Sequence, residues 1–260
     1  MSDPLLRLSD LTTGYRTGRT ARVVSAGLNA TLPCAGVTAL IGVNGAGKST
    51  LLRTLAGLQR PLAGTALWQG RRLADCPPGL LARTVAVVLT ARPDCPALTA
   101  REVAAMGRMP YTGLGGRLSA ADRAVVDEAL ELAGAAPLAG RSLDTLSDGE
   151  RQRVMIAKAL AQQTPAILLD EPTAFLDFPA KVQTLRLLAR LARRQGKAVL
   201  YSTHDLELAF RLTERLWVLS PDGLAEGTPA ALAADGTIGR LFSAGGLRFH
   251  ADTLRFDAVP

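Results

Sequence analysis

Gly42-Val-Asn-Gly-Ala-Gly-Lys48-Ser49 decides how the rest of this chain is read. It fits the pattern G-x-x-x-x-G-K-[ST] without a mismatch. Its flanks agree with it. Before it, Gly36-Val-Thr-Ala-Leu-Ile41 is a short β-type apolar run. After it, residues 49–57 have helical apolar spacing and close on Gly57, a residue suited to a helix C-terminus. A triphosphate needs many donors in a small space. Glycines at 42, 45 and 47 let successive backbone N–H groups point inward, and the helix that follows adds its positive end. Gly42, Asn44, Gly45, Gly47, Lys48, Ser49 and Thr50 are therefore candidate ATP-binding residues. Lys48 is placed to reach the β- and γ-phosphates and Ser49 to put its hydroxyl on Mg²⁺.

Working outward, a second apolar run, Ala166-Ile-Leu-Leu169, ends in Asp170-Glu171, and a third, 197–203, leads into His204. Near-continuous apolar strands imply a parallel sheet covered on both faces, as in α/β folds. The first forty residues instead alternate in short runs, 6–11 and 23–32, which suits a small antiparallel sheet. Residues 99–107 and 120–133 have helical spacing and are separated by the Gly- and Pro-rich stretch 109–117. The expected fold is α/β: a P-loop NTPase core with a parallel sheet, a small N-terminal antiparallel β subdomain and an inserted helical subdomain at about 92–160. One ATPase domain is expected over 5–250, with a C-terminal tail at 251–260. The last thirty residues are Ala/Gly-rich and weakly periodic, so they carry no fold assignment of their own.

Composition narrows the function. The chain has 260 residues, 48% of them hydrophobic, yet no run reaches the ~18 apolar residues of a membrane-spanning helix. The start, MSDPLLRLSD, lacks a basic segment followed by an apolar one, so no signal peptide is read there and a cytosolic protein is expected. Three cysteines, Cys34, Cys76 and Cys95, are too few and scattered for a disulfide framework or a zinc site. The net charge of +7 is spread along the chain and only 4% of residues are aromatic, which argues against a nucleic-acid partner.

At the end of the second strand, one carboxylate, Asp170, can hold the shell of Mg²⁺, and its neighbour Glu171 can polarise an attacking water as a general base. An Asp-Glu pair after an apolar run also serves as a helix cap; its pairing with the loop at 42–49 favours catalysis. Leu146-Ser-Asp-Gly-Glu150, followed by Arg151-Gln-Arg153, precedes a helical stretch at 150–161, and Ser147 is a good N-cap there.

With that peptide the chain resembles the ABC ATPases, whose signature is usually leucine-serine-glycine-glycine-glutamine shortly before the acidic strand. The resemblance covers about residues 5–250. It implies that Ser147, Gly149 and Glu150 serve the γ-phosphate bound by the other subunit of a homodimer. It also implies that His204 is the switch histidine contacting the γ-phosphate, that Tyr15 in Thr13-Gly-Tyr-Arg16 stacks on adenine, and that Ala174-Phe-Leu-Asp177 crosses to the partner subunit. Catalysis is assigned to Glu171, His204 and Lys48. At finer grain the chain looks like ATPases of iron-siderophore, haem and cobalamin importers, through Val103-Ala-Ala-Met-Gly-Arg-Met-Pro-Tyr111, Thr173-Ala-Phe-Leu-Asp177 and Gly227-Thr-Pro229. Polytopic permease subunits, an indirectly coupled substrate-binding protein and a peripheral place on the cytoplasmic face of the inner or plasma membrane are then expected. The same resemblance makes Ala91-Arg-Pro-Asp-Cys-Pro-Ala-Leu98 the groove that receives a short permease helix.

Three positions depart from the family pattern. Thr90 stands where a glutamine is usual, which leaves a shorter side chain for the Mg²⁺ shell, and Asp148 and Glu150 replace a glycine and a glutamine. Carboxylates near a triphosphate repel it unless they point away or are paired. Those departures keep open a nucleotide-binding regulator without turnover. A soluble ABC ATPase of DNA repair or translation is the other alternative, although such proteins usually carry coiled coils or tandem cassettes, and neither is seen here.

Overall fold

The computed structural model describes residues 3–18, 20–90, 97–113, 116–242 and 247–258. Strands β1 (Leu6–Thr17) and β2 (Thr20–Leu32) form a long antiparallel pair. Both outrun the short stretches legible in sequence. Beyond Leu11 the ladder continues through register shifts, and backbone pairing there outlasts the apolar alternation. Next come β3 (Gly36–Gly42) and helix α1 (Lys48–Leu55), then β4 (Ala63–Trp68) and β5 (Arg71–Arg72), which extend the first pair into a sheet of order β2-β1-β4-β5. Helix α1 ends as its glycine predicts. Gly57 takes φ 72°, its N–H donates to Thr54 O, and the N–H of Leu58 donates to Arg53 O.

Helix α2 (Pro78–Thr84) leads into β6 (Val85–Val88). Between β6 and β7 (Ala166–Leu169) lie helices α3 (Ala100–Ala105), α4 (Ala120–Leu132) and α5 (Asp148–Ala161), which agrees with the expected helical insertion. Of the candidate groove at 91–98, residues 91–96 lie outside the described residues. The chain continues through α6 (Phe178–Gln195), β8 (Ala198–Ser202), α7 (Leu206–Leu212), β9 (Arg215–Ser220) and β10 (Gly223–Gly227). The second sheet has the order β10-β9-β3-β8-β7-β6. It is parallel from β9 to β6, and β10 is its antiparallel edge.

Alternate residues of the parallel strands feed two cores, as the period of two requires. Leu40, Leu168, Leu200 and Trp217 face the antiparallel sheet and Leu51, Leu52 and Leu55 of α1. Ile41, Leu169, Val199 and Val218 face the opposite side, against the helical insertion and α6. The sheet is thus covered on both faces, which is why its strands read as continuous apolar runs.

Residues beyond β10 form α8 (Pro229–Ala234), α9 (Thr237–Phe242) and a hairpin of β11 (Leu247–His250) with β12 (Arg255–Ala258). The expected tail boundary at 250/251 falls at the turn of this hairpin. Phe249 and Phe256 lie 4.9 Å apart, centroid to centroid, and pack with Phe210 of α7. Those contacts join residues far apart in sequence, so local periodicity gave no sign of them.

The end of β3 is tightly constrained. A Cβ built on Gly42 would sit 2.5 Å from the backbone carbonyl oxygen of Leu219. Backbone cannot swing aside as a side chain does. Gly42→Ala should therefore cost about 1–3 kcal/mol by overpacking, read as a lower Tm in thermal unfolding; an unchanged Tm would contradict this packing.

Candidate active site

The parallel strands finish nearly level. Leu40 of β3 pairs with Ser202 of β8, Tyr201 of β8 with Leu169 of β7, and Leu169 with Val88 of β6. The residues after each strand therefore line one edge: the loop 42–49, then 203–204, then 170–171, then Thr90. The neighbours of β3 are β8 on one side and β9 on the other, so the chain order reverses there and a crevice opens outside the carboxyl ends of the strands.

Gly47 caps α1 with φ 100°, and a Cβ there would lie 2.5 Å from Val24 Cγ1, so both conformation and space require glycine. No acidic residue occupies the first turn of α1, which leaves its positive end uncompensated. Lys48 is buried and folds back over the loop, donating to Gly42 O at 2.9 Å and Val43 O at 3.3 Å. Burial pushes its ammonium below the usual lysine range, while Glu171 and Asp170 act in the opposite direction.

Asp170 is the hub. Its Oδ1 accepts from Ser49 Oγ at 2.9 Å and from Ser202 Oγ at 2.8 Å, and its backbone carbonyl accepts from Thr90 Oγ1 at 2.9 Å. Ser202 in turn accepts the N–H of Glu171 at 2.9 Å. Glu171 has φ 50°, left-handed backbone that a non-glycine residue adopts at a cost of roughly 1–3 kcal/mol. That conformation turns the chain sharply after β7, so Asp170-Glu171 is a strand-end turn and not the start of a helix. The Glu171 carboxylate meets His204 Nε2 at 2.7 Å. Five residues from three segments, Ser49, Asp170, Ser202, Glu171 and His204, thus form one hydrogen-bonded line. Reading the sequence missed Ser202. Its only signal was a small hydroxyl residue closing an apolar strand.

Tyr15, near the end of β1, is 45% exposed and shares a 2.9 Å hydrogen bond with the Thr50 hydroxyl. Its ring therefore stands over the start of α1. Ser147, Gly149 and Glu150 sit apart from this line, at the N-terminus of α5. Ser147 and Glu150 form a capping box: the Ser147 N–H donates to Glu150 Oε2 at 2.9 Å, and the Glu150 N–H donates to Ser147 Oγ at 3.3 Å. Arg141 adds a 3.0 Å ion pair to Glu150 Oε1. The Ser147 backbone N–H first, then its hydroxyl, then Arg141, hold the Glu150 carboxyl below the usual carboxylate range. Glu150 is paired, which removes the objection to a carboxylate at that position. Arg141 was the other residue that sequence reading missed. Ser147, Gly149 and Glu150 open into a groove of about 1060 Å³ shared with Asp177 and the flank of α6.

Comparison with known proteins places this geometry. The family model described as ABC transporter matches residues 26–174, more than half of the chain, and spans the loop, the signature and the strand-end acids. The chain belongs to the ABC transporter family. It is an ATP-binding, ATP-hydrolysing chain of that family. Among relatives of this ABC ATPase, the achromobactin transport ATP-binding protein of Dickeya dadantii is 37% identical over 236 residues, covering 90% of this chain and 86% of that one. Two solved structures share its fold. One is a metal-chelate type ABC transporter in an inward-facing conformation, with TM-score 0.80 and 25% identity, covering 98% of this chain and 96% of that one. The other is an ATP-binding cassette captured as a dimer after hydrolysis with ADP and Pi bound, with TM-score 0.74 and 28% identity, covering 86% and 98% respectively. No helix among the described residues of this ABC ATPase is long and apolar enough to cross a membrane.

Proposed function

We propose that this chain is the ATPase subunit of an importer for a metal chelate of the iron-siderophore, haem or cobalamin type, working as a homodimer on polytopic permease subunits. A substrate-binding protein would deliver the chelate to the permease. The chain itself would sit peripherally on the cytoplasmic face of the membrane. The observation that carries the hydrolytic part is the line from Ser49 through Asp170 and Ser202 to Glu171 and His204. The substrate class rests on the relatives and on the metal-chelate transporter neighbour.

Each residue then has a task. The loop 42–49 and the free end of α1 hold the triphosphate through backbone N–H groups. Lys48 exchanges its two carbonyl partners for β- and γ-phosphate oxygens, which is favourable because its buried ammonium gains two anionic acceptors. Ser49 and Asp170 present a hydroxyl and a carboxylate 2.9 Å apart, hard oxygen ligands of the kind Mg²⁺ takes. Bound there, Mg²⁺ would neutralise charge on the β- and γ-phosphates. Thr90 fixes the Asp170 backbone and borders that shell. Glu171 accepts a proton from the attacking water, and His204 orients it until the γ-phosphate competes for its Nε2. Tyr15 stacks on adenine.

The site is completed by a second copy. Ser147 and Gly149 at the N-terminus of α5 receive the γ-phosphate bound by the partner, as the dimeric neighbour supports. Ser147→Arg places a bulky cation on that face, so turnover should fall at least tenfold while nucleotide binding by the isolated chain stays within about twofold. Hydrolysis assays and nucleotide titrations check both. Equal loss of binding would assign Ser147 to its own chain's site. For the transport reading, the decisive experiment is reconstitution with the permease in vesicles: ATP-dependent uptake of a ferric siderophore is expected, and ATP turnover unaffected by any metal chelate would overturn it.

A further inference from the structure

Helix α5 carries the signature at its start, and its first turns also face the catalytic acids of the same chain. Thr90, Asp148, Arg151, Gln152, Asp170 and Glu171 line one cavity of about 50 Å³. Three side-chain donors of α5 are buried without a hydrogen-bond partner, and two of them, Gln152 Nε2 and Arg151 Nε, belong to residues that line this cavity. Buried donors are costly to leave unmade, and a polar cavity this size has room for roughly one to three waters, whereas apolar cavities stay dry. The carboxylates opposite are acceptors with capacity to spare. Asp170 Oδ1 takes two hydroxyls and Glu171 Oε1 takes His204, while each carboxylate has a second oxygen.

We infer that Gln152 is a positioning residue that ties α5 to Asp170 and Glu171 through ordered water in this cavity. The inference rests on the assignment of Glu171 as general base and extends it. Water-mediated bonds are nearly as favourable as direct ones. A shift of α5 that delivers Ser147 to the partner's nucleotide is therefore felt at the Glu171 carboxylate of the same chain. The link also gives a function to a residue that reading the sequence passed over as part of a helix. It shares the cavity with Thr90, whose hydroxyl is committed to the Asp170 carbonyl.

The test uses the full-length chain. Gln152→Leu keeps the approximate volume and removes the amide. The expected result is a kcat for ATP hydrolysis reduced about tenfold, within the ~10²-fold that a misplacement of about 1 Å can cost, with KM for ATP within about twofold. Gln152→Asn keeps an amide that one more water can connect, so its kcat should recover to within about threefold of the parent. A purely structural orphan behaves in the opposite way: replacing an unpartnered buried donor by an apolar group raises stability. Gln152→Leu with parental kcat and a raised Tm overturns the inference. A crystal structure of the parent decides independently of how the variants fold. A water hydrogen-bonded to both Gln152 Nε2 and a carboxylate oxygen of Asp170 or Glu171 supports the link, and its absence overturns it. Glu171→Gln run in parallel separates the two readings. If that variant turns over normally, the base assignment fails; if it is inactive while both Gln152 variants match the parent, only the link fails.

Discussion

Glu171→Gln should bind ATP and fail to hydrolyse it. The substitution keeps the shape of the side chain and removes the proton acceptor, so the loss in kcat should be about 10²–10⁴-fold, the usual scale for a general base. The structure sharpens this expectation. The Glu171 backbone is held by Ser202 and its carboxylate by His204, so the group is fixed at two points before any nucleotide arrives. A glutamine amide can still meet His204, because the imidazole can present either a donor or an acceptor. The local fold and the phosphate loop should therefore be undisturbed, and Kd for ATP should stay within about threefold of the parent. With binding intact and the exit reaction blocked, ATP should trap the closed dimer, visible as a doubled mass in size-exclusion chromatography with light scattering. Turnover within a factor of about three of the parent would remove Glu171 from the chemistry.

Lys48→Ala should fail at the step before. The ammonium is buried and held over the loop by Gly42 O and Val43 O, poised within the cradle. Each hydrogen bond to a charged group contributes about 1.5–3 kcal/mol, so losing two, to the β- and γ-phosphates, should weaken triphosphate binding by at least about 10²-fold. Hydrolysis should fall at least as far. Affinity for a nucleoside monophosphate should barely change, because Lys48 addresses the terminal phosphates. Titration with ATP and AMP in parallel reads this difference directly. An equal loss for both would mean that Lys48 supports the loop's shape and not the nucleotide.

Much of this site is legible in the sequence, for a physical reason. Phosphate recognition by a strand, a glycine-rich turn and a helix start is built from contiguous backbone, so its requirements are written in consecutive residues, 42–49. The acids at 170 and 171 could be read because the strand before them is buried on both faces and shows as an unbroken apolar run. The resemblance carried by 146–153 named the family, and the family match agrees. The charges at 148 and 150 could not be resolved that way. Glu150 is satisfied by Arg141, nine residues away across a turn, and no periodicity encodes that pairing.

The sequence by itself determined which chemical groups are present and the order in which the strands deliver them. Local rules of backbone conformation and apolar spacing act over a few residues, and those rules set the loop, the helix caps and the strand ends. Only the tertiary structure decided what those groups touch. Parallel register brings Ser202 beside Asp170, and packing of the helical insertion brings Gln152 to the catalytic acids. The aromatic rings of α7 and the last hairpin meet in the same way. Each of these contacts spans tens of residues. Side chains so far apart in the chain are brought together by the burial of whole sheet faces, which no stretch of sequence expresses alone.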